Sequence, residues 1–179
     1  MLARHHTDEI VVPLYQAAFE WSAIKSWPLT YYGFGAMGLG SSHGLGLALG
    51  RPDRRVIVLD GDGSLLMNLG TLVTIAEVAP PNLIHFVCEN GTYEANGAHP
   101  IPGRGVLSFA GFARAAGIEK VYEFSDIDEF ERGIADLLEE RGPVFVDLKV
   151  EKGGDYEYRW DLVHGPESRR TFREALERA

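Results

Sequence analysis

VIVLDGDGSLLMNLG, Val56 to Gly70, decides how this chain folds. Four apolar residues run into Asp60-Gly61-Asp62-Gly63-Ser64, and a second apolar run follows. The first run is short enough for a buried strand, and the second, Leu65 to Val78, has the length of a helix. Two carboxylates therefore sit among glycines where a strand stops and a helix starts. Working outward, apolar runs and helical patterns keep alternating. EIVV (Glu9–Val12), LTYY, RVIVLD, LIHFVCEN, KVYEF and PVFVDLKV read as strands. LYQAAFEWSAIKSW, Leu39 to Leu49, Ser108 to Ala116, Ser125 to Glu140 and a charged segment from Gly165-Pro166 to Ala179 read as helices. Ser125 and Asp128 have the spacing of a capping box, and Pro166 stands where a helix start accepts proline. A long Gly/Pro loop covers Gly91 to Gly105.

This alternation predicts one α/β domain over residues 1–179, a doubly wound, mostly parallel sheet with helices on both faces. In such sheets ligands bind beyond the carboxyl ends of the strands, where chain order reverses. LDGDGS and CENGTYEANG both lie at strand ends.

Composition narrows the partners. The 179 residues are 45% hydrophobic and carry a net charge of −9 with no Lys/Arg-rich run, which argues against nucleic acid or an anionic membrane as partner. The lone Cys88 permits no internal disulfide and fits a reducing compartment. MLARHHTDEIVV lacks the apolar stretch of a signal peptide, and no 18-residue apolar run occurs, so the expectation is a cytoplasmic protein.

Gly33 to Gly70 is the glycine-rich part, and it supports two readings. GFGAMG (Gly33–Gly38) matches G-x-G-x-x-G, with Asp60 22 residues beyond Gly38 as the acid for a ribose. That dinucleotide reading leaves LDGDGS unexplained, and the strand before it carries Pro28. The other reading starts from Asp62. Flanking glycines let backbone approach phosphate oxygens, and a helix start offers free N–H groups. A carboxylate there repels phosphate by about 4 kcal/mol at 4 Å and an effective dielectric near 20. The helix dipole returns only about 0.3–1 kcal/mol. A divalent cation between acid and phosphate reverses the sign. Mg²⁺ takes one or two carboxylates together with phosphates and water. Asn90, 28 positions after Asp62, offers a neutral oxygen, and a loop carbonyl offers another.

GDG, 26 residues and then Asn resembles the motif of the thiamin diphosphate (ThDP) enzymes, in their diphosphate-binding domain. GFGAMG then resembles the G-S-M-G element of ThDP decarboxylases, with Ala36 in place of serine. GLGLALG together with GDGSLLMNLG resembles the sulfopyruvate and phosphonopyruvate decarboxylases. The resemblance covers about Glu9 to Val150. It implies metal ligation by Asp62, Asn90 and the backbone carbonyl of Thr92. It implies a cofactor site formed by Gly35, Ala36, Met37, Gly61, Asp62, Gly63, Ser64, Asn90, Thr92 and Tyr93. In it Met37 is the apolar wedge under the bent cofactor, and the Gly35 carbonyl receives the aminopyrimidine.

The same resemblance implies an incomplete unit. The acid that activates the cofactor sits on a pyrimidine-binding domain, and Met1 to Thr30 is too short to be one. That domain, with its catalytic Glu, is expected on a separate alpha-type chain, and Glu9 and Glu20 are not assigned its role. The expected activity is decarboxylation of a small 2-oxo acid, inactive without the partner, with further self-association into a homodimer or larger assembly open. A carboligase of the acetolactate synthase kind, a 2-oxo acid oxidoreductase, and a non-enzymatic dinucleotide-binding domain are the alternatives. In the loop after the metal site, Glu94, Asn96, His99 and Arg104 are expected to line the entrance. His99 or Arg104 could meet an anionic head group, although a solvated loop is the plainer reading. His43 is read as a packed, hydrogen-bonded residue and His85 as structural. His5, His6 and His164 have no neighbours that suggest chemistry.

Overall fold

A computed structural model describes residues 1–32, 37–154 and 157–178. The described elements run α1 (Leu2–His5), β1 (Ile10–Pro13), α2 (Gln16–Ile24), α3 (Gly40–Gly50), β2 (Val56–Gly61), α4 (Asp62–Leu66), α5 (Gly70–Val78) and β3 (Leu83–Glu89). A small hairpin follows, β4 (Thr92–Tyr93) and β5 (His99–Pro100), around a 3-10 turn at Glu94–Asn96. The chain ends with α6 (Phe109–Ala115), β6 (Lys120–Phe124), α7 (Ile127–Glu139), β7 (Val144–Lys149), α8 (Trp160–His164) and α9 (Pro166–Arg178).

Five strands form one parallel sheet in the order β1-β2-β3-β7-β6. LTYY contributes only a single parallel bridge, Thr30 to Val11, on the outer side of β1. Leaving β1, the chain thus steps outward to Thr30 and then crosses back to β2. That reversal opens a crevice at the carboxyl ends of β1 and β2.

The central strands read as unbroken apolar runs because both faces are covered. Val56, Ile57 and Val58 in β2 and Leu83, Ile84, Phe86 and Val87 in β3 are fully buried. Val56, Val58, Val87 and Phe145 point to one core, with Leu45, Leu72, Ile75, Phe109 and Phe172 from α3, α5, α6 and α9. Ile57, Ile84, Phe86, Val144 and Val146 point to the other, where Phe130, Ile134, Leu137 and Leu138 of α7 cover them. Gly44 sets how closely α3 lies on the sheet, because a Cβ there would stand 2.2 Å from Val58 Cγ2.

Several boundaries differ from the sequence reading. The strand expected over EIVV runs one residue further, through Pro13. The helix expected over Leu65 to Val78 is two helices, with a break at Met67–Leu69 where Met67 and Asn68 donate back to the carbonyls of Ser64 and Leu65. The cap of α7 is Asp126, whose carboxylate accepts from the Glu129 N–H at 2.9 Å, so the Ser125/Asp128 box does not form. The Gly91–Gly105 loop contains the β4/β5 hairpin. Two short helices, α1 and α8, carried no pattern long enough to be read. Among the described residues no helix is long and apolar enough to cross a membrane.

Candidate functional site

A cavity of about 190 Å³ opens at the carboxyl ends of the strands. Leu14, Tyr15 and Gln16 reach it from the exit of β1, Met37 from the glycine segment, and Asp60 to Ser64 from the exit of β2. Asn90, Thr92, Tyr93 and Glu94 close it from the exit of β3, and Val150, Glu151 and Gly153 from that of β7. Met37, Gly61, Asp62, Gly63, Ser64, Asn90, Thr92 and Tyr93 are therefore brought together on one cavity wall. Gly35 and Ala36 lie outside the described residues.

The two carboxylates of the DGDG turn are held differently. Asp60 is fully buried; its Oδ1 accepts from the Gly61 N–H at 3.0 Å, and its Oδ2 stands 3.3 Å from His85 Nε2. Both oxygens serve the fold, which takes from the dinucleotide reading its ribose acid and accounts for His85 as structural. Asp62 is 1% exposed, and its two oxygens accept from the N–H groups of Gly63 at 2.7 Å and Gly91 at 2.6 Å. Burial pushes its carboxyl above the ordinary range, opposed by those backbone donors. It makes no ion pair with any described side chain.

Around it the backbone leaves room. A Cβ on Gly61 would meet no atom of the described residues within 4 Å beyond its chain neighbours, so among the described residues that peptide faces open space. Gly63 is the opposite: a Cβ there would stand 2.5 Å from Tyr93 Cδ1, so the ring of Tyr93 lies directly on the Gly63 backbone. Asn90 Oδ1 accepts from the N–H and the hydroxyl of Thr92, each at 2.9 Å, and its Nδ2 donates to Glu94 Oε2 at 2.6 Å. Gly38, at φ 89°, donates its N–H to Ser64 Oγ at 3.0 Å, and Met37 donates its N–H to Tyr15 Oη at 3.3 Å.

The donor set fits a hard divalent cation. Asp62, Asn90 and the Thr92 carbonyl would supply one carboxylate and two neutral oxygens, leaving positions for phosphate oxygens and water. No group of three His, Cys, Asp or Glu side chains forms a protein-only cage among the described residues. A buried acid paired with no cationic side chain among the described residues, beside the Gly61 backbone, suits a diphosphate carried in with its metal.

Sequence reasoning missed part of the wall. Glu20, assigned only to a helix, lines the cavity from α2. Tyr15 carries φ 45° and ψ −115°, unusual for a residue with a side chain, and no local pattern announces it. His99 and Arg104 do not line the cavity; Arg104 instead lies across Gly91, where a Cβ would come 2.7 Å from its Nε. His43 is packed edge-on to Tyr31 as expected, but its buried Nδ1 has no hydrogen-bond partner among the described residues, and burial lowers its pKa. Glu9 lies near the opposite, amino end of the sheet and accepts from the N–H groups of Thr7 and Asp8.

Residues 14–148 match the family described as thiamine pyrophosphate enzyme, C-terminal TPP binding domain. Among curated proteins, the chain is 41% identical over 147 residues to the sulfopyruvate decarboxylase subunit beta of Methanothermobacter thermautotrophicus, covering 82% of this chain and 76% of that one. It is 37% identical over 148 residues to the phosphonopyruvate decarboxylase of Streptomyces hygroscopicus, covering 80% of this chain and 35% of that protein. It is 32% identical over 142 residues to acetolactate synthase 2, chloroplastic, of Nicotiana tabacum, covering 70% of this chain and 21% of the synthase. The chain thus spans about a third of the phosphonopyruvate decarboxylase it matches and about three quarters of the beta subunit.

Proposed function

The chain belongs to the thiamine pyrophosphate enzyme family, and on that premise we propose that it is the ThDP- and Mg²⁺-binding subunit of a 2-oxo acid decarboxylase acting on sulfopyruvate or phosphonopyruvate. The observation that carries this reading is Asp62: a buried carboxylate, fixed by two backbone N–H groups and paired with no cationic side chain among the described residues, on the wall of a cavity at the strand ends. Asp62, Asn90 and the Thr92 carbonyl would hold Mg²⁺. Gly61 would let the diphosphate approach the backbone, and Met37 would support the two rings from beneath. The bound cofactor supplies the carbanion chemistry that decarboxylation of a 2-oxo acid needs, while the protein binds and orients it.

The pyrimidine-binding domain is proposed to be a separate alpha-type subunit, as the name of the relative from Methanothermobacter thermautotrophicus suggests. That partner would bring the activating Glu. It would also bring the cations for a sulfonate or phosphonate, because none of the described residues lining the cavity is Lys, Arg or His, whereas Glu20, Glu94 and Glu151 are there. A reducing, cytoplasmic setting suits Cys88, whose thiol burial pushes up to about 12.

The test is a decarboxylation assay with sulfopyruvate, phosphonopyruvate and pyruvate, run with ThDP and Mg²⁺ on this chain mixed with a pyrimidine-domain subunit. Carbon dioxide from the sulfonated or phosphonated acid, dependent on both cofactors, is the expected result. Acetolactate from pyruvate would move the chain to the carboligases instead.

A further inference from the structure

Glu94 lines the cavity, and its side chain grips the proposed metal ligand Asn90. It opens the 3-10 turn at the tip of the β4/β5 hairpin, and its carboxylate folds back four residues to take the Nδ2 proton of Asn90 at 2.6 Å. The ring of Tyr93, the residue before it, lies close against Gly63, and Gly97 closes the turn at φ 83°. The carboxylate is thus delivered by a short, tethered piece of backbone.

The consequence lies in the Asn90 amide. An amide presents an acceptor on one side and donors on the other, and only its partners decide which way it faces. Here both sides agree. The Glu94 carboxylate oxygen accepts from Nδ2, and the Thr92 N–H and hydroxyl donate to Oδ1, so Oδ1 faces away from Glu94. A hydrogen bond to an ionised acceptor is also about twice as strong as a neutral one, and it draws electron density toward Oδ1. Both effects favour a neutral oxygen that must compete for a hard cation.

We propose that Glu94 is a positioning residue for the metal site, orienting and polarising Asn90 for Mg²⁺ without itself ligating the ion. The inference rests on the ThDP reading above and adds to it a residue outside the Asp62, Asn90 and Thr92 set. Partners behind a metal ligand typically change metal affinity by about 10- to 100-fold when removed. Its charge acts through the amide, so its effect depends on what stands at position 90.

The experiment is a titration of ThDP binding by the full chain against Mg²⁺ concentration, with melting temperature as the fold control. Glu94→Gln should raise the Mg²⁺ concentration at half-saturation by about 10-fold or more. It should leave the melting temperature in place and shift the Asn90 side-chain amide resonances in a ¹⁵N–¹H spectrum. Glu94→Asp, which keeps the charge, should restore part of the affinity. In an Asn90→Asp background the sign should invert. Two carboxylates then face each other, so Glu94→Gln should tighten Mg²⁺ binding. A Glu94→Gln variant that titrates like the parent, or one that loses affinity equally in both backgrounds, overturns the proposal while leaving the ThDP site standing. A parent whose ThDP binding shows no dependence on Mg²⁺ overturns the metal site itself, and the proposal with it.

Discussion

Gly91 donates its backbone N–H to Asp62 Oδ2 at 2.6 Å, and this bond joins the tip of β3 to the tip of β2. It holds in place a carboxylate that is 1% exposed and pairs with no cation among the described residues. A charge desolvated this way costs stability until a counter-charge arrives.

The first prediction follows from that. Mg²⁺ with ThDP should raise the melting temperature of the parent, because a ligand at 100 times its dissociation constant adds about 2.7 kcal/mol. Asp62→Ala, and Asp62→Asn, which keeps the shape and drops the charge, should gain nothing measurable. Asn90→Ala should lose less of the gain, since a neutral oxygen is withdrawn. A thermal scan in which the Asp62 variants gain as much as the parent would remove Asp62 from the site.

A pair of glycines separates fold from ligand. Gly61→Ala adds a methyl group where no atom of the described residues beyond its chain neighbours lies within 4 Å, so melting should move by no more than about 0.5 kcal/mol in equivalent stability while ThDP binding weakens at least tenfold. Gly63→Ala puts a methyl 2.5 Å from Tyr93 Cδ1, so it should lose about 1–3 kcal/mol of stability as well as ThDP. Parent-like ThDP affinity in Gly61→Ala would mean that the diphosphate does not lie over this peptide.

Met37 allows a test of orientation. Its backbone N–H is tied to Tyr15 Oη and that of Gly38 to Ser64 Oγ, so the chain at this point is anchored by other side chains. Met37→Ala should therefore leave the backbone where it is and remove only the apolar support. Turnover in the reconstituted enzyme should fall well beyond any loss of cofactor affinity, because geometry is what is lost. Affinity falling further than kcat would contradict the wedge.

How far the sequence could be read follows from the range of each signal. The parallel sheet was legible because β2 and β3 are apolar on both faces, and the pairing of Asp62 with Asn90 because both sit at strand exits, where the spacing of a βαβ unit brings them together. The division of labour between Asp60 and Asp62 was not legible. It depends on His85, which lies in the neighbouring strand and reaches Asp60 only once the sheet has formed. The Asp126 cap and the break before Gly70 turn on competition between adjacent residues with equal local claims, Ser125 against Asp126 and one long helix against two. Glu20 and Tyr15 reach the cavity through the angle at which α2 leaves β1, and no periodicity encodes that angle.

Asp147 gives a pH signature outside the site. It is fully buried in β7, one oxygen accepts from Lys149 at 2.9 Å, and the other has no partner among the described residues. Burial raises its carboxyl to about 6, despite the opposing pull of Lys149. The folded state then holds a proton that the unfolded chain, titrating near 3.9, has already released. Between about pH 4 and 6 this group makes stability fall as pH rises. Denaturation profiles of Asp147→Asn should be flatter than the parent's across that window, with the variant relatively more stable above it. Parallel profiles would place the Asp147 pKa in the ordinary range.

The last prediction concerns the open side of the cavity. The described wall comes from the exits of β1, β2, β3 and β7, which are the carboxyl end of one sheet, together with α2 and the segment around Met37. Near that end a Cβ on Gly38 would stand 3.0 Å from Met67 Cβ, and Leu39 and Met67 are exposed at 40% and 55%. A cofactor seated there would have protein against its diphosphate and solvent against much of its pyrimidine. Obligate partners cover such surfaces with large and relatively apolar interfaces. The purified chain should therefore bind ThDP weakly and decarboxylate no 2-oxo acid. Mixing with an alpha-type, pyrimidine-binding subunit should give a hetero-oligomer with at least two copies of each chain, along with activity and tighter ThDP binding. Leu39→Lys and Met67→Lys, exposed in this chain and so expected to leave its melting temperature nearly unchanged, should weaken that assembly. Light scattering on the mixture reads the assembly, and carbon dioxide release reads the chemistry. Full turnover by this chain alone would mean that its own residues supply the activating acid, and Glu20, already on the cavity wall, would be the first side chain to replace.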